Sequence, residues 1–152
     1  MMQSQNMDWR TLITDMDVDN TSFAVDELDT LGYDAVTLAI SFGNVPADVT
    51  AITLTESDTA GSGHGNVTAG VVGTTADMDG TTSVLPTAAA GDGDLILQQI
   101  DLRGRKRYLD LTITAGNGSG TATQCSVVAV LSRAGKGFDS ASDYAAETVM
   151  RF

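Results

Sequence analysis

The sequence predicts an all-β domain, an antiparallel β-sandwich or jelly roll of about eight strands with extended terminal arms. Apolar residues recur at every second position in several short segments, which is the spacing of a strand with one buried face. Gly, Asp and Asn separate these segments, and no long segment repeats its apolar residues with the period of an α-helix. Strands of this kind bury their apolar faces by stacking into layers.

The clearest strand pattern lies at residues 108–114, where Leu109, Leu111 and Ile113 occupy alternate positions. Two short apolar runs precede and follow it, at residues 95–102 and 123–131. We predict that the three segments form one antiparallel core sheet, because each is short, apolar and bounded by turn-forming residues. The Gly-rich residues 116–120 are then a hairpin connection.

A second well-defined strand lies at residues 33–42, with Val36, Leu38, Ile40 and Phe42 on one face. The other face carries small residues that a neighbouring layer can cover. Shorter or weaker strand patterns occupy residues 23–25, 49–56, 67–72 and 81–85. These segments complete the predicted set of strands.

The predicted β domain spans residues 22–132, between two terminal segments. Residues 1–21 are rich in Asp, have scattered apolar positions and predict an extended N-terminal arm. Residues 133–152 form a C-terminal tail that begins with a basic, Gly-containing linker and is compatible with a short helix from Ser142. Because the chain has 152 residues, it needs no second domain.

The charge distribution is uneven along the chain. Residues 1–94 hold 15 acids and one base, a net charge of −14, whereas residues 95–152 have a net charge of +2. This field repels nucleic acid over most of the surface but allows like subunits to meet head to tail. No apolar run approaches the roughly 18 residues of a membrane span, and no secretory signal is visible, which predicts a soluble protein made in a cytoplasm.

No motif in the sequence indicates an enzyme. A nucleophile elbow, a phosphate-binding loop, a zinc cluster and a dinucleotide fingerprint are absent. Asp15, Asp17 and Asp19 begin like a calcium-binding loop, but Asn20 occupies the position that requires Gly, so an acidic solvated turn is favoured. We therefore predict no catalytic residue, no metal and no cofactor.

The single His and the single Cys of the sequence both favour structural interpretations. His64 lies on a loop rich in Gly and Ser, with no carboxylate, Cys or second His at metal-binding spacing, which predicts a solvated loop residue. Cys125 has no partner for an internal disulfide and lies in a strand pattern, which predicts a small packed residue.

The connection between the first two core segments is the most basic stretch of the chain. It carries Arg103, Arg105, Lys106 and Arg107, followed by Tyr108. A nucleic-acid contact would need a broad basic face or interleaved aromatic residues, which are missing here. A solvated turn remains open. Our hypothesis is an interface in which planar guanidinium groups bind carboxylates of another chain, because it accounts for both the cluster and the acidic remainder.

Three short phrases and their order resemble a known family. They are LDTLGYDAV at residues 28–36, TLTESD at residues 53–58, and RYLDLT at residues 107–112 before a Gly-rich connection. In this pattern residues 22–132 resemble head decoration, or cement, proteins of tailed bacteriophages. The resemblance implies a β-sandwich or jelly roll that assembles as a trimer, binds the major capsid protein on the capsid surface of the virion and catalyses no reaction.

Two other functions remain open from the sequence. A carbohydrate- or receptor-binding β-sandwich of a phage tail or fibre would stack sugars on exposed aromatic residues. The candidates, Trp9, Tyr33, Tyr108 and Tyr144, are few and dispersed. A hydrolase would need an enclosed pocket with convergent polar groups, which the sequence alone does not indicate.

Overall fold

The computed structural model describes residues 7–18, 22–24, 27–116, 122–132 and 148–152. Over these residues the chain is all-β and has no α-helix, which confirms the predicted fold class. The strands are β1 (Met7–Val18), β2 (Ser22–Ala24), β3 (Leu28–Asp29), β4 (Ala35–Phe42), β5 (Val49–Ser57), β6 (Gly65–Asn66), β7 (Leu95–Asp101), β8 (Tyr108–Ala115), β9 (Thr123–Ser132) and β10 (Thr148–Arg151). No helix in the described ranges has the length and apolar content to cross a bilayer.

The strands form two sheets that pack as a β-sandwich. Sheet one has the order β1-β9-β4-β7-β10, and sheet two has the order β2-β8-β5-β6, with β3 also paired to β8. The pairings are antiparallel, except that β10 runs parallel to β7. β4 is the middle strand of sheet one, and β8 and β5 are the two inner strands of sheet two.

The core lies between the sheets and comes from alternate residues of their strands. In β4, Val36, Leu38, Ile40 and Phe42 are buried, as the alternation predicted. Leu109, Leu111 and Ile113 of β8 are buried in the same hydrophobic cluster from the opposite layer. Burying one such side chain contributes about 1.5–3 kcal/mol, so the strands carry most of the favourable free energy of folding.

The predicted single core sheet of residues 95–131 is wrong. β7 and β9 lie on either side of β4 in sheet one, whereas β8 pairs with β5 in sheet two. The connections before and after β8 therefore cross between layers, and residues 116–120 do not join a hairpin. Residues 117–121 themselves lie outside the described residues. Alternation identifies which face of a strand is buried, but it does not identify the neighbouring strand.

The strands predicted at residues 67–72 and 81–85 are also absent. Thr68–Gly70 forms a single 3-10 turn, and Val72 makes only an isolated bridge to Ile52. Val67 and Val72 are nevertheless buried, and their amides donate to carbonyl groups of β5. The apolar residues here anchor a loop across the edge of sheet two, which produces the same sequence pattern as a short strand.

Both predicted terminal segments contribute strands to sheet one. Residues 7–18 of the predicted N-terminal arm form β1, which pairs with β9 along its length. Asp17 therefore lies in a strand and not in the predicted acidic turn, whereas Asp19 lies outside the described residues.

In the C-terminal segment, residues 148–151 form β10 and not a helix, and Met150 is fully buried in the core. Residues 142–147 of the predicted helix lie outside the described ranges.

Candidate functional site

The basic turn, residues 103–107, crosses from sheet one to sheet two between β7 and β8. Arg103, at its start, binds the last residue of β7, with its Nη2 2.5 Å from Oδ2 of Asp101 and its Nε 2.9 Å from Oδ1. The hydrogen bonds from the Arg103 side chain lower the pKa of Asp101 to about 2. This pair is local and solvent-exposed, so it shapes the turn but stabilises the fold weakly.

Arg107, at the end of the basic turn, binds a different element. Its guanidinium holds the Asp29 carboxylate of β3 in two hydrogen bonds and lies 4.8 Å from the ring centroid of Tyr108. The hydrogen bond from Arg107 is the main reason that the pKa of Asp29 is lowered to about 2. Arg107 and Tyr108 thus hold β3 against the start of β8.

Arg105 and Lys106 lie against Glu56 near the end of β5. The Arg105 Nη1 is 3.8 Å from the Glu56 Oε1, and the Lys106 amide donates to Oε2 at 3.3 Å. The Arg105 guanidinium also lies 5.9 Å from the ring centroid of Phe152, next to β10. Arg105 therefore connects the turn with the C-terminal residues of the chain.

The predicted interface residues lie together in the structure, but most of their positive charges form ion pairs with carboxylates of the same chain. Each of Arg103, Arg105 and Arg107 has a carboxylate partner on its own chain. Lys106 is exposed, and the described part of the chain places no carboxylate within ion-pair distance of its ammonium group. Of the cations in this turn, Lys106 is the one that is best placed to meet another molecule.

A second surface feature is the edge of sheet one formed by β1. β1 pairs with β9 on one side, and no described strand pairs with its other side. Trp9 is 66% exposed, and Met7 and Met16 are exposed as well. The register shifts on both sides of Ile13, so the regular part of this edge is the beginning of the strand, which carries Trp9.

A third feature, the Glu27–His64–Asp110 cluster, lies on the outer side of sheet two. The His64 Nε2 is 3.1 Å from the Glu27 Oε2 and 3.3 Å from the Asp110 Oδ2. The three possible ligand atoms lie within 4.8 Å of one another. The predicted solvated loop histidine is therefore wrong, because the His64 side chain is only 15% exposed and lies between two carboxylates.

Strand pairing explains how this cluster forms. Leu28 of β3 pairs with Leu109 of β8, so the register continues to place Glu27 opposite Asp110. Asp110 points outward, because its neighbours on β8 point into the core. His64 immediately precedes β6, which pairs with β5 beside β8. No local sequence signal contains this arrangement, since its three residues come from separate segments.

Backbone groups of the loop before β6 hold the cluster in place. The Gly61 amide donates to the Glu27 Oε2 at 2.8 Å. The buried Ser57 hydroxyl contacts the carbonyl groups of Thr59 and Ser62 and accepts from the Thr59 amide. This hydroxyl fixes the loop that leads to His64.

Comparison of the chain with protein-family models, with curated proteins and with solved structures finds no match. The basic turn, the edge at β1 and the Glu27–His64–Asp110 cluster are therefore the features from which a function has to be inferred.

Proposed function

We propose that the protein is a structural component of a virion, which decorates the head of a tailed bacteriophage and stabilises it by binding the lattice of the major capsid protein. The observation that carries this proposal is the edge of sheet one at β1, where Trp9 is 66% exposed. The resemblance of residues 22–132 to decoration proteins supports the same function. No enzymatic activity is part of the proposal.

An edge strand of this kind favours adhesion. It presents a row of backbone donors and acceptors that can pair with another chain, and natural proteins usually protect such edges. A large exposed aromatic residue adds apolar area and a planar surface that packs in an interface at little entropic cost. The beginning of β1 therefore fits a partner that covers Trp9 and Met7, such as a capsid subunit.

The charges favour a second contact, between copies of the protein. Lys106 is exposed on the basic turn, whereas residues 1–94 carry a net charge of −14. Contact between the basic turn of one copy and an acidic surface of the next is heterologous, and heterologous contacts whose rotation closes form rings such as the trimer we propose. Several weak contacts per ring would raise the avidity for a repeating capsid lattice.

The test combines Trp9→Ser and Lys106→Ser with binding to phage capsids assembled without the protein. We expect Trp9→Ser to lower capsid occupancy by at least about tenfold, as a central aromatic contact does when it is removed. Lys106→Ser should lower the oligomer mass in sedimentation. Val84→Ser, an exposed apolar residue on a different segment, serves as the matched control.

The single Trp of the sequence provides an independent measurement. Its fluorescence should shift to the blue when the protein binds capsids, because burial removes water from the indole. Binding of the wild type to a glycan array but not to capsids would contradict the proposal and support the carbohydrate-binding alternative. Unchanged occupancy and an unchanged oligomer mass in both variants would also contradict it.

A further inference from the structure

The geometry points to a divalent transition-metal site at the Glu27–His64–Asp110 cluster, with one oxygen of each carboxylate and the His64 Nε2 as ligands. This inference is independent of the proposed function. It goes beyond the sequence, which predicts no metal, because the ligands converge only through the pairing of β3, β8, β5 and β6.

The cluster brings two carboxylates of like charge close together. Continuation of the β3–β8 register places Glu27 opposite Asp110, on the outer face of sheet two. Two like charges in directly opposed positions destabilise a sheet unless a cation lies between them. The three possible ligand atoms of the cluster lie within 4.8 Å of one another.

The His64 Nε2 lacks a regular hydrogen-bond acceptor among the described residues. This atom is buried, and no described residue accepts a hydrogen bond from it in regular geometry. The carboxylate oxygens at 3.1 and 3.3 Å therefore lie off the line of an Nε2–H bond. A ring that donated from Nε2 would direct its N–H toward one of these oxygens, whereas a metal ion binds the lone pair of Nε2.

The spacing of the ligand atoms suits a transition-metal ion. With metal–ligand bonds of about 2.1 Å, separations of 3.1 and 3.3 Å correspond to ligand–metal–ligand angles of about 95° and about 104°. These angles lie between the octahedral and the tetrahedral values. Three protein ligands leave at least one coordination position open to water or to a group from a partner.

The donor set selects the class of ion. One imidazole nitrogen with two carboxylate oxygens suits Zn²⁺, Co²⁺, Ni²⁺ or Mn²⁺. Ca²⁺ takes six to eight oxygen ligands and gains little from an imidazole nitrogen. The Gly61 amide, which donates to the Glu27 Oε2, orients that carboxylate as outer-shell donors do in metal sites.

The test is a titration of the tag-free full chain with Zn²⁺, in which isothermal calorimetry measures the stoichiometry and the affinity. We expect one Zn²⁺ per chain, with affinity reduced by at least about tenfold in His64→Ala and in the nearly isosteric Asp110→Asn. Asp58→Asn removes an exposed carboxylate from the loop that leads to His64 and is the matched control. It should bind Zn²⁺ as the wild type does.

Because the sequence has a single His, nitrogen NMR of the wild type follows the Nε2 directly and needs no variant. Zn²⁺ should shift the Nε2 resonance, whereas Ca²⁺ at the same concentration should not. An unmoved resonance, or equal Zn²⁺ binding by wild type and His64→Ala, would overturn the proposal and leave only a histidine side chain packed between two carboxylates. Equal effects of Zn²⁺ and Ca²⁺ would also overturn it.

Discussion

Arg107 and Asp29 form a bidentate ion pair that connects the basic turn to β3. The distances are 2.8 Å from Nε to Oδ1 and 2.6 Å from Nη2 to Oδ2. The carbonyl group of Asp29 also accepts from Arg10 Nη1 of β1 at 3.2 Å. Asp29 therefore links the edge strand of sheet one, a short strand of sheet two and the turn between the layers. Lys cannot replace Arg here with the same geometry, because its ammonium does not bind both carboxylate oxygens in parallel.

This pair predicts a pH dependence of stability. In the folded protein the pKa of Asp29 is about 2, below its value of about 3.9 in an unfolded chain. The lowered pKa means that the pair stabilises the fold above about pH 4 and that this contribution is lost as the pH falls through about 2. The effect should be small, because both side chains are 41% exposed and water screens the pair.

Urea denaturation of wild type and Asp29→Asn between about pH 7 and about pH 2 measures this contribution. We expect the wild type to be more stable at neutral pH and the difference to vanish toward the acid end. Asp58→Asn controls for the loss of one negative charge from a chain with a net charge of −12. A difference that grows as the pH falls would contradict the prediction.

Neighbouring residues of β8 should differ in how much their substitution lowers the free energy of unfolding. Leu111 is buried between the sheets, whereas Thr112 points to the outer side of sheet two. Leu111→Ala should lower the free energy of unfolding by about 2–5 kcal/mol, because it leaves a cavity. Thr112→Ala should change it by only about 0.5 kcal/mol. Similar losses in chemical denaturation of the two variants would mean that β8 does not present these faces.

Cys125 predicts a simple chemical probe of folding. It is buried in β9, and burial raises the pKa of its thiol to about 11. At about pH 8 only about a thousandth of the thiol is ionised, so iodoacetamide should react at least about a hundredfold more slowly than with a peptide thiol. In urea the reaction should become fast. Rapid labelling of the native protein would contradict the burial, and Cys125→Ser measures the background.

In the loop before β7, Gly91 is packed too closely to accept a side chain without a loss of stability. A Cβ at Gly91 would lie 2.8 Å from the Thr87 carbonyl oxygen and 2.9 Å from the Pro86 Cβ. Because backbone atoms cannot yield as a flexible side chain does, Gly91→Ala should destabilise the protein by about 1–3 kcal/mol. Gly65→Ala is the control, since no atom lies within 4 Å of its added Cβ. Equal midpoints of thermal unfolding in the two variants would contradict the close packing.

The sequence was sufficient for the fold class and for the buried face of most long strands. Val36, Leu38, Ile40 and Phe42 point into the core as their spacing predicted, because side-chain alternation is a local property of the extended backbone. The sequence also showed the cluster of basic residues in the turn at residues 103–107. Its function as an interface remains a prediction, and the structure adds that its arginines have carboxylate partners on the same chain.

The neighbours of each strand became apparent only in the folded chain. β7, β8 and β9 are all short apolar segments in the sequence, but β8 joins the opposite sheet, because a connection can cross between layers as well as turn back within one. The meeting of Glu27, His64 and Asp110 follows from the same pairing. An outward-facing polar residue carries no periodic signal of its partner, so no inspection of the three separate segments could bring these residues together.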